Sequence, residues 1–62
     1  MSKLEFFLNA IDALRKMERD GTSKEACDNF DRFIREQIFG KFKIELSSDE
    51  QVELQDYYIQ TL

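Results

Sequence analysis

Apolar residues recur at helical spacing in three separate segments of this chain, and that pattern predicts an all-α fold. In residues 23–39 (SKEACDNFDRFIREQIF), a turn of 100° per residue sets Phe33, Ala26, Phe30, Ile34, Cys27 and Ile38 in order around an arc of about 140°. Lys24, Glu25, Asp28, Arg32, Arg35 and Glu36 take most of the other side. The segment is therefore an amphipathic helix whose apolar stripe the rest of the chain must cover.

Residues 3–19 are apolar over a much wider arc, roughly 220°, more than one neighbour can cover. Leu4, Phe7, Ile11 and Leu14 form one stripe, and Phe6, Ala10, Ala13 and Met17 form a second beside it. A helix apolar on two adjoining sides is either the centre of a bundle or shared with another chain. Ala10 and Ala13 permit close approach of a partner helix. In residues 49–60, Leu54, Tyr58, Ile59 and Val52 share an arc that extends to Leu62, while Asp49, Glu50, Glu53 and Asp56 lie opposite. Tyr57 falls at the border of that acidic side.

The punctuation agrees with three helices. Ser2 with Glu5, Thr22 with Glu25, and Ser47 with Glu50 each have the spacing of a capping box, in which a hydroxyl satisfies an orphan amide and the glutamate reaches back to the cap. Gly21 and Gly40 stand where the first two helices should stop, because glycine tolerates the left-handed turn that ends a helix. The connection at residues 20–23 is short enough to make helices one and two an antiparallel hairpin. The expected architecture is one small domain: a helical hairpin plus a shorter third helix, over residues 3–19, 24–39 and 49–60. Residues 41–46 (KFKIEL) alternate polar and apolar, a strand's period, with no second strand to pair with. An extended or irregular connector, a continued helix facing another subunit and an intersubunit strand pair all stay open there.

Size sharpens the question of what covers the second stripe. A chain of 62 residues buries only about 60% of its unfolded surface, and such chains usually add disulfides, a metal or a second subunit. One cysteine excludes an intrachain disulfide, and with no histidine a zinc site of nitrogen and sulfur ligands is excluded too. Six phenylalanines and two tyrosines are many for so small a body. A homodimer is expected, burying Phe6, Ala10, Ala13 and Met17, together with Phe39 and Phe42. Lys3, Glu5, Asp12 and Arg15 interrupt any apolar run near the N-terminus, so neither a secretory leader nor a membrane span is expected. With its single thiol, the chain reads as cytoplasmic.

Charge adds an asymmetry. The net charge is −4; residues 1–43 hold all nine basic residues against eight acids, whereas residues 44–62 hold five acids and no base. An acidic helix face of Asp49, Glu50, Glu53 and Asp56, with Tyr57 at its border, can meet a basic surface on a partner protein. The plainer reading is a solvated face with acids placed favourably near a helix N-terminus.

Catalytic chemistry is not written in the chain. Histidine, the commonest general base, is absent, and Cys27 lies within an apolar arc, where a thiol is inert. No calcium-loop or phosphate-loop motif occurs, so no cofactor and no metal are expected. Direct nucleic-acid binding is disfavoured because lysine and arginine form no stripe on helix two and are missing from helix three. What remains is a small non-enzymatic protein that binds another protein as a regulator, inhibitor or adaptor. The alternative is an acidic nucleic-acid mimic, occupying a DNA- or RNA-binding surface with its C-terminal helix.

Overall fold

The computed structural model describes residues 2–40 and 45–62. Three helices follow in order: α1 over Lys3–Arg19, α2 over Lys24–Ile38 and α3 over Ser48–Gln60, with no strand among the described residues. The hairpin and the shorter third helix are as the periodicity predicts. Glu45 and Leu46 are outside any helix, and Leu46 is half-buried against the core. Of residues 41–46, for which three conformations stay open, 41–44 lie outside the described residues, and so does the expectation for Phe42.

The caps set the boundaries. Ser2 accepts from the Glu5 amide at 3.1 Å. Ser47 and Glu50 form the reciprocal box: the Glu50 amide donates to Ser47 Oγ at 3.3 Å, and the Ser47 amide donates to Glu50 Oε1 at 3.2 Å. At α2 the cap is Ser23, accepting from the Ala26 amide at 3.3 Å, in place of the expected Thr22. Thr22 is committed elsewhere. Its amide donates to the Met17 carbonyl at 3.0 Å while Gly21, at φ +78°, donates to Glu18, and together these close α1 in a Schellman turn. Gly40 is needed for a different reason from the expected one. It does not adopt a positive φ; a Cβ there would stand 2.2 Å from the Glu36 carbonyl oxygen.

α1 is the central helix. It packs against both α2 and α3, which meet each other less extensively. Ile11, Leu14, Ile34, Ile38 and Leu54 are the largest fully buried side chains, with Phe7, Ala10, Cys27 and Tyr58 completing the core. Much of the width of the apolar arc of α1 is thus accounted for within one chain. Ala10 packs inward and Met17 is half-buried against the core, whereas Phe6 and Ala13 are exposed. Leu8, on the flank toward α3, is half-buried.

Candidate protein-interaction surfaces

Two surfaces flank α1. The first begins with Phe7, whose ring stacks on Phe33 of α2 with centroids 6.2 Å apart and meets the Phe6 ring edge-on at 5.1 Å. Phe33 sits at the end of the α2 arc, so only one of its sides reaches the core. Phe6 is 53% exposed and Phe33 45%, and with buried Phe7 they make a connected aromatic strip open to solvent. Phe39 belongs to another place: its ring stands edge-on over Tyr58 at 5.8 Å. The six residues expected to form one self-association surface are therefore split, with Phe6 and Ala13 outward, Ala10 inward, Met17 half-buried, Phe39 beside α3, and Phe42 not described.

The second surface is a groove of about 700 Å³ between α1 and α3. Leu8 and Val52 give it an apolar floor, and Asp12, Asp49, Glu53 and Asp56 stand around it. Three of the four acids expected on one face converge here with Tyr57. Glu50 does not, because its carboxylate is held by the Ser47 cap. Asp12 joins from α1, which the sequence alone did not reveal. Tyr57, half-buried beside these acids, donates its hydroxyl to Asp12 Oδ1, tying α3 to α1 beside the groove. That bond, followed by burial and the charge of Asp12, raises the Tyr57 pKa above the ordinary tyrosine value. Among the described residues, no cation pairs with Asp49, Glu53 or Asp56; the ion pairs there are Arg15–Glu18 and Arg35–Asp31.

Arg15 holds the adjoining end of α3. It is only 8% exposed, and its guanidinium lies 4.6 Å from the centroid of the Tyr58 ring. It donates to the Tyr58 carbonyl at 2.8 Å, to Thr61 Oγ1 at 3.1 Å and to Glu18 Oε1 at 3.1 Å. The last turn of α3 has no basic residue of its own, so α1 supplies the cation that satisfies it. On the far side, the Tyr58 hydroxyl donates to Asp31, whose other oxygen accepts from Arg35 at 3.0 Å. Burial first, then the bond to Asp31 and its charge, raise the Tyr58 pKa, opposed by Arg35 and Arg15. Gln55 likewise donates to the Ile38 carbonyl at 3.4 Å, capping α2 from α3.

Cys27 is buried, its thiol donating to the Thr22 carbonyl at 3.7 Å. Among the described residues, no three acidic or thiol side chains converge to hold a metal ion, and no helix is long and apolar enough to cross a membrane. Comparison with known proteins finds no matching family model, no matching curated protein and no matching solved structure.

Proposed function

We propose that this chain is a small non-enzymatic interaction module that self-associates through its aromatic flank and acts, as a regulator, inhibitor or adaptor, by binding another protein. One observation carries it: large apolar side chains stay uncovered after the core is complete, and Phe6 and Phe33 are connected through Phe7 into a single strip. Burying one phenylalanine is worth about 1.5–3 kcal/mol, which matters against a domain stability of about 5 kcal/mol. A cytoplasmic setting fits the lone thiol.

Chemical crosslinking of the full chain in native lysate, read by mass spectrometry, tests both parts. A copy-to-copy product and one discrete second polypeptide are expected. A chain that crosslinks only to itself overturns partner binding, and one that never crosslinks to itself overturns self-association. The acidic nucleic-acid mimic is kept as the second possibility because Asp12, Asp49, Glu53 and Asp56 share one groove. A mimic competes with duplex DNA or RNA for its target; a partner indifferent to both leaves the first function standing.

A further inference from the structure

We propose that the α1–α3 groove docks a cationic amphipathic helix of a partner protein, in which lysines or arginines one turn apart flank an apolar side chain. This rests on the protein-binding function above and names the chemistry of the partner. Asp49, Glu53 and Asp56 stand at i, i+4 and i+7 on one face of α3, about 10 Å from end to end, two turns, with Val52 beside them. An occupying helix laid along that edge presents a cation at each turn to Asp49, Glu53 and Asp56.

The floor selects the rest of the occupant. Val52 is 54% exposed and Leu8 half-buried, so an apolar side chain entering the groove removes apolar surface from water. Lysine and arginine stems lie along such a floor while their charged ends reach the rim. Among the described residues, no basic side chain lines the groove and its three α3 carboxylates have no cationic partner. Carboxylates without partners beside a concave apolar floor match a segment that is both cationic and apolar, the helix-in-groove mode of recognition. Asp12, held by Tyr57, closes the opposite wall.

The test is fluorescence anisotropy of a labelled lysine–leucine helical peptide titrated with the full chain, alongside a scrambled peptide of the same composition. Saturable binding is expected, weakened about tenfold by Glu53→Gln with Asp56→Asn, weakened also by Val52→Ser, and reduced by added salt. Circular dichroism establishes that each variant keeps its helices. No saturable binding, equal binding of the scrambled peptide, or indifference to the carboxylate changes overturns the proposal. Should the peptide fail while the chain still captures a second polypeptide, the groove assignment alone is wrong. Failure of both removes the interaction-module function as well.

Discussion

Along α1 the two seams are made differently. Toward α2 the closure is apolar, with Phe7 stacked on Phe33 and Ile11, Ala10 and Ile34 buried. Toward α3 it depends on directed polar bonds: Arg15 to the Tyr58 carbonyl and Thr61, and Tyr57 to Asp12. Apolar contact supplies most of the free energy but little direction, whereas hydrogen bonds with fixed partners set how a helix is placed. α3 contributes only Leu54 and Tyr58 to the buried core, so its position relies on those bonds. The lesson is that the connected aromatic strip of Phe6 and Phe33 lies beside the apolar seam, whereas the candidate docking groove and the exposed Val52 lie along the polar one.

The strongest blow to this contrast falls on the apolar seam. Ile34 is fully buried, and truncation of such a residue costs about 2–5 kcal/mol, so Ile34→Ala should leave no cooperative thermal transition by circular dichroism. Next is the polar seam. Arg15→Met keeps an apolar stem but strips the Tyr58 carbonyl and Thr61 of their donor, and should cost about 2 kcal/mol in urea unfolding. A loss no larger than that of an exposed arginine would mean the seam is ordinary surface.

Tyr58→Phe should cost about 1 kcal/mol, because it removes the bond to Asp31 and keeps the ring. The same site gives a pH signature. Its folded pKa is raised, so the folded state holds the phenolic proton longer than the unfolded chain does. That contribution is complete below the ordinary tyrosine value of about 10 and is lost as pH rises through the folded value. Stability should therefore fall at strongly alkaline pH, less steeply in Tyr58→Phe. Tyr57→Phe, at the more exposed bond to Asp12, should have the smallest effect on stability and flatten the same alkaline limb further.

The fold was largely legible in the sequence because its signals are local. Ser2 and Ser47 announce their helices within three residues, and Gly21 marks its own turn. Thr22 and Ser23 were exchanged because either hydroxyl fits the cap, and only the closure of α1 onto Thr22 decides between them. The apolar arc of α1 signalled a central helix and a shared one equally. A wheel has no neighbours drawn on it, so it could not tell that Ala10 would turn inward and Phe6 outward. The polar seam was illegible for a different reason. Arg15 and Asp12 look like any charged helix residues until partners 46 and 45 positions away, Thr61 and Tyr57, are brought beside them. Amphipathic pattern identified three of the groove's four acids, but concavity is a property of two helices together.

Sedimentation equilibrium of the full chain across the micromolar range tests the central claim, that the aromatic flank is an interface. A mass approaching twice 7.4 kDa is predicted, returning to 7.4 kDa when Phe6 and Phe33 are both changed to serine with helicity retained. A single 7.4 kDa species at every concentration, or a dimer indifferent to those two changes, would contradict it.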